Sequence, residues 1–129
     1  MNRKIAHITL VVKDYDEAID FYVNKLKFNL IEDIVLDQYK RWVLVSPNYE
    51  RGSSLLLAEA SNSIQEKAIG NQSGGRVFLF LYTDDFKRDY QNLLENKIEI
   101  VREPKDEPYG IVAVFKDLYG NLWDLIQPK

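Results

Sequence analysis

The sequence predicts an α+β fold in which one β-α-β-β-β unit is used twice in tandem. Two observations carry this. The same order of apolar patterns, a strand-like run, a helix-like run and three further strand-like runs, occurs over residues 1–60 and again over 75–129. An offset of 71 also lays Asp14 on Asp85, Tyr15 on Phe86, Ile19 on Tyr90 and Tyr22 on Leu93, which superposes two helix starts and two apolar helix faces. The same offset carries His7 onto Phe78, and an offset of 68 lays LLLA of 55–58 on WDLI of 123–126, so that Leu56 falls on Asp124.

From Ile5 to Val12 the chain is apolar or β-branched almost throughout, the composition of a strand covered on both faces. Asp14 then offers a helix N-cap, with Glu17 three residues on to complete a capping box. Ala18, Ile19, Tyr22 and Leu26 follow at helical spacing and predict a helix with one face on a sheet. FNLIEDIVL, KRWVLVSP and SSLLLAEA read as strands joined by DQY and NYERG. The polar, small-residue segment 61–74 reads as a connecting loop with a short helix at SIQEKAI. The pattern then returns: RVFLFLYTD as strand, DFKRDYQNLLENK as helix, and IEIVREP, YGIVAVFKD and NLWDLIQP as strands, with LYGN a tight turn. REPKDEPYG alternates charge and proline and reads as a solvated turn, with Glu103 or Glu107 the alternative approach to a pocket.

A chain of 129 residues, 46% of them apolar, suits one domain with a real core, spanning 1–129 as two modules. Cysteine is absent, which excludes disulfides, thiolate metal sites and cysteine nucleophiles, and a single histidine excludes a His-rich metal site within one chain. The net charge of −3 arises from 17 basic and 20 acidic residues without a basic block, which argues against nucleic acid. No apolar run is long enough for a signal-peptide core or a membrane span, so the expectation is a cytoplasmic protein with no membrane partner. Ser46, Ser53 and Ser54 lie in no G-x-S-x-G context, and the carboxylates of Asp84 and Asp85 suit a helix start. Gly70, Gly74 and Gly75 give flexibility between the modules; no strand precedes them and no helix directly follows, which disfavours a phosphate cradle.

The opening HITLVVKDYDEAIDFYVNKLKF and the ending FKDLYGNLWDLIQP, with GGRVFLFLYTDDF between them, resemble the vicinal oxygen chelate superfamily of glyoxalase I, bleomycin-resistance proteins and extradiol dioxygenases. The resemblance covers essentially the whole chain and implies a glyoxalase-like fold: a curled mixed sheet with a cleft, usually in a chain that pairs with a second copy. Fold alone names no reaction. In the superfamily's metalloenzymes, one position on the first and one on the last strand of each module supplies His or Glu ligands to a divalent ion that acts as a Lewis acid. Those positions here are His7, Leu56, Phe78 and Asp124.

Leucine and phenylalanine coordinate nothing, so one imidazole and one short carboxylate remain, whereas catalytic zinc-type sites use about three protein ligands. The expectation is no tight metal site and no cofactor. A divalent ion, if held, would rest on His7 and Asp124, with Glu59 or Gln72 as a substitute third ligand; Glu59 would need a bulge to reach Leu56's face. Alternation along VFLFLYT places Val77, Leu79 and Leu81 on one face and Phe78, Phe80 and Tyr82 on the other. With Leu56 and Asp124 the rings would wall a pocket suited to a flat or cationic organic ligand; the alternative is that they fill a core or a dimer seam. Three functions follow: a metal-free small-molecule-binding protein similar to bleomycin-resistance proteins, a metal-dependent lyase resembling glyoxalase I (lactoylglutathione lyase) or a dioxygenase, and a partner-binding protein with a vestigial cleft. Pairing into a homodimer is expected from the sheet edges and apolar surface such modules leave.

Overall fold

The computed structural model describes residues 1–48 and 50–129. Two compact units, Met1–Ile69 and Gly70–Lys129, divide the chain. The first contains β1 (His7–Val12), α1 (Tyr15–Ile19), a π-helical segment (Asp20–Lys25), β2 (Asn29–Val35), β3 (Arg41–Ser46), β4 (Ser54–Glu59) and α2 (Ser63–Ala68). The second contains β5 (Val77–Tyr82), α3 (Phe86–Glu95), β6 (Ile100–Glu107), β7 (Gly110–Lys116) and β8 (Leu122–Pro128). Each unit forms a four-stranded mixed sheet, in the orders β1-β4-β3-β2 and β5-β8-β7-β6. First and last strands run parallel, and the other neighbours are antiparallel. This is the α+β class expected from the sequence, one β-α-β-β-β unit used twice.

In the first unit Leu10, Val12, Val43, Val45, Leu55 and Leu57 share one sheet face and are buried. Against them the helix sets Ala18, Phe21 and Tyr22, with the Tyr22 and Phe28 rings 5.5 Å apart. Asp14 caps the helix by accepting from the Glu17 N–H at 2.9 Å. The helix departs from simple α spacing after Ile19: the Leu26 N–H reaches the Phe21 carbonyl at 2.8 Å, one residue wider than an α-helical bond. That widening brings Phe21, Tyr22 and Leu26 inward and leaves Ile19 only half-buried.

Strand β1 is an edge strand, and its outer residues His7 and Thr9 are exposed. The expectation that it is covered on both faces is thereby corrected: the continuous apolar run contributes Leu10 and Val12 to the core, while Ile5 lies outside the strand and is exposed. The connection 48–52 includes Tyr49, which lies outside the described residues. The segment REPKDEPYG is also corrected, since β6 runs on to Glu107 and only Pro108 and Tyr109 turn. Pro104 is accommodated because β6 is an edge strand whose register shifts between Arg102 and Lys105.

In the second unit Trp123 and Leu125 lie on the face shared with Phe115 and Ala113, all buried, and α3 adds Phe86 and Leu93. The two units solve the same local problem twice. The Tyr15 N–H at the start of α1 donates to Glu59 Oε2 at 3.3 Å, and the Phe86 N–H at the start of α3 donates to Gln127 Oε1 at 2.7 Å. These donors and acceptors are the pairs that offsets of 71 and 68 superpose.

The turn before β8 is held by the buried Asp117, whose Oδ1 accepts from the N–H groups of Tyr119, Gly120 and Asn121 and whose Oδ2 accepts from the Asn121 amide. Gly70, at φ +76°, packs so closely on this turn that a Cβ would lie 1.9 Å from the Tyr119 carbonyl oxygen. Left-handed backbone costs a non-glycine residue about 1–2 kcal/mol and overpacking a further 1–3. Gly70→Ala is therefore expected to lower unfolding free energy by about 2–5 kcal/mol in urea titration, whereas Gly74→Ala, with open space around the added carbon, should lose only the backbone part.

Candidate functional site

In each unit, one sheet face is closed by a helix and the other carries the residues singled out from sequence. In the first unit, β1 and β4 pair without interruption: His7 with Ser54, Thr9 with Leu56, Val11 with Ala58. His7 and Leu56 therefore share a face two positions apart along the ladder. Leu44 lies beside Leu56 on β3, and the Trp42 ring meets the His7 ring edge-on, with centroids 5.8 Å apart and planes at 79°. The imidazole is exposed and half-framed by an indole. Glu59, the substitute ligand considered above, follows regular β4 geometry in register with Val12, on the opposite face from Leu56, and is engaged at the start of α1.

In the second unit, Phe80 is paired with Asp124, and Asp124 with Val114 on the next strand, itself paired with Arg102. Arg102, Val114, Asp124 and Phe80 thus form one row across the sheet. Tyr82 follows two positions on, and both rings are open: Phe80 is 60% and Tyr82 69% exposed. Asp124 sits on a central strand and is partly buried; burial pushes its carboxyl up from the ordinary aspartate range, and Arg102 partly offsets the shift.

Phe78 departs from the expected alternation. The β5–β8 register steps from Val77–Leu122 to Leu79–Trp123, so Phe78 is the extra residue of a bulge. The regular alternation of Phe78, Phe80 and Tyr82 is corrected to a pair, Phe80 and Tyr82, with Phe78 set apart and half-buried.

The four positions that the resemblance assigns to metal ligands thus carry an imidazole, a carboxylate and two hydrocarbon groups, one of them in a bulge. That donor set does not fit a metal centre of the superfamily's metalloenzyme type. Among the described residues, no three His, Asp or Glu side chains are grouped as a metal ion requires. Two residues of the open faces escaped the sequence reading: Trp42 and Arg102. Thr9 shares the open face with His7, and the offset of 71 lays it on Phe80. Trp42 and Arg102 enter through cross-strand register, which no local pattern specifies.

The chain belongs to the Glyoxalase/Bleomycin resistance protein/Dioxygenase superfamily, whose family model matches residues 4–125. It is 64% identical over 128 residues to an uncharacterized protein of Shewanella frigidimarina (strain NCIMB 400), covering 98% of this chain and 95% of that one. Among solved structures it is similar to UcmS2, with a TM-score of 0.83, 27% identity and 98% of each chain covered. It is also similar to TnmS3, an antibiotic binding protein from Streptomyces sp. CB03234, with a TM-score of 0.79, 30% identity, and 99% of this chain and 98% of that chain covered. Among the described residues no helix is long and apolar enough to cross a membrane.

The raised Asp124 carboxyl has a defined consequence for stability. The folded state binds this proton more tightly than the unfolded chain, so the contribution is fully present below the ordinary aspartate pKa and is lost as pH rises through the raised folded value. Asp124→Asn removes the titration. Its melting temperature relative to the parent protein should therefore be more favourable at pH 7 than at pH 3.5, as read by thermal unfolding at both pH values.

Proposed function

We propose that this protein binds a small, planar or cationic organic molecule, holding it by its own side chains without a resident metal ion, and that it works as a homodimer. The observation that carries this reading is the pairing of the exposed Phe80 ring with the partly buried Asp124 carboxylate, with Tyr82 two residues on. The rings supply a stacking surface, and the carboxylate supplies an acceptor for a donor or a cation on the ligand. His7 and Leu56, on the open face of the first unit, are assigned to the same role, an exposed imidazole framed by Trp42 and an apolar neighbour. Similarity at 30% identity over nearly the full chain to an antibiotic binding protein supports a small organic ligand. The hydrocarbon groups at Leu56 and Phe78 support the absence of a tight metal site. The open edges β1, β2, β5 and β6 support association between copies.

Two measurements test the reading. Elemental analysis of protein incubated with nickel, zinc, manganese or ferrous iron and then desalted should find no stoichiometric ion; about one ion per chain, lost in His7→Ala, would replace this reading by that of a metal-dependent lyase or dioxygenase. In fluorescence titration with a planar aromatic cation such as acridine orange, saturable binding should weaken about tenfold in Phe80→Ala and in Asp124→Asn, the loss of one stacking or charge-assisted contact. Affinity unchanged in both variants would remove the assigned face.

A further inference from the structure

The first unit contains a depression of about 560 Å³ away from the face that carries Leu56, lined by Gln38, Tyr39, Glu59, Ala60 and Ser61. It lies between the turn joining β2 to β3 and the exit of β4, and Glu59 is in register with Val12, on the helix-covered side of the sheet. We propose that this depression is a second binding site, for a small organic cation bearing a primary ammonium group, with Glu59 as its counter-ion and the Tyr39 ring as its aromatic wall.

The walls are held in place. Asp37 Oδ1 accepts from the N–H groups of Tyr39 at 2.7 Å and Lys40 at 2.9 Å, and the Leu36 N–H closes the turn on the Lys40 carbonyl at 2.9 Å. The turn therefore fixes the backbone that presents Tyr39, a residue 81% exposed. On the opposite wall the Ala60 N–H donates to the Val12 carbonyl at 2.9 Å, and Ser61 donates through both N–H and Oγ to Gln65 Oε1 at 2.8 and 2.9 Å. Ser61 Oγ, its proton committed to Gln65, has lone pairs left to accept. Of the lining groups, Glu59 and Ser61 Oγ accept, the Tyr39 ring offers a π face, and the Gln38 amide can turn its oxygen toward an occupant, a set that suits a cation with N–H donors.

The charge on Glu59 exceeds what the fold asks of that position. Its structural task is to accept the Tyr15 N–H, and the second unit gives the equivalent task at Phe86 to the neutral Gln127. The nearby cation of Arg41 is committed elsewhere: it bridges Asp16 at 2.9 Å and Asp33 at 2.7 Å and lies 5.2 Å over the Tyr15 ring.

Benzylamine and its neutral counterpart benzyl alcohol test the site, followed through backbone amide shifts of the whole chain by nuclear magnetic resonance. Benzylamine should shift Tyr39, Ala60 and Ser61 saturably, weaken at least tenfold in Glu59→Gln and about threefold in Tyr39→Leu, and keep its affinity in Phe80→Ala, which separates this site from the face proposed above. Glu59→Gln retains an acceptor for Tyr15 and should fold; if it does not, the exposed Tyr39→Leu alone decides. Shifts that do not saturate, an equal response to benzyl alcohol, or an affinity unchanged in the variants would overturn the proposal.

Discussion

The parallel pairing of the first strand of each unit with its last is the constraint on which the rest depends. An α-helical crossover and two further strands separate β1 from β4 and β5 from β8, and only when the chain has come back does a first-strand residue acquire its neighbour: Thr9 beside Leu56, Phe80 beside Asp124. The return also places the end of the last strand beneath the start of the helix. There Glu59 and Gln127 satisfy N–H groups that the helix itself leaves without a partner. One long-range pairing thus sets the sheet order, the helix origin and the row of side chains that faces outward.

From that pairing the two faces of each sheet take opposite roles. The helix-covered face needs apolar residues at every second position, and Leu10, Val12, Leu55 and Leu57 in one unit and Trp123 and Leu125 in the other supply them. The outward face is free of that demand, and it is here that the units diverge. The first presents an imidazole set against an indole; the second presents two open rings and a carboxylate whose proton affinity is raised by partial burial. Repetition of the scaffold with divergence of the outward rows is how one supersecondary unit comes to offer two chemistries.

Much of the fold was legible because the two halves corroborate one another. Asp14 and Asp85 mark helix starts that the structure caps as read, and the offsets of 71 and 68 carry the β1–β4 register onto β5–β8 from Ile8–Leu55 and Leu79–Trp123 onward. What escaped were features that local patterns do not encode. The π-helical widening after Ile19 accompanies the burial of Phe21 and Tyr22, which helical spacing in the sequence does not encode. The extension of β6 through Pro104 depends on its place at an edge. The bulge at Phe78 is invisible because VFLFLYT alternates without a flaw; the slip belongs to the pairing with β8. In the outward rows the residue types could be read, while their neighbours Trp42 and Arg102 could not.

The bulge also bears on how such a scaffold could change its trade. An engineer seeking to install a metal centre would substitute donors at 56 and 78, and in the first unit the ladder is regular enough for a side chain at 56 to aim where the register points. At 78 a new imidazole would sit in the bulge, where its direction follows the stepped pairing with β8 rather than the regular alternation. The residue type at 78 is open to point substitution, while the backbone that aims it answers to a neighbouring strand much further along the chain.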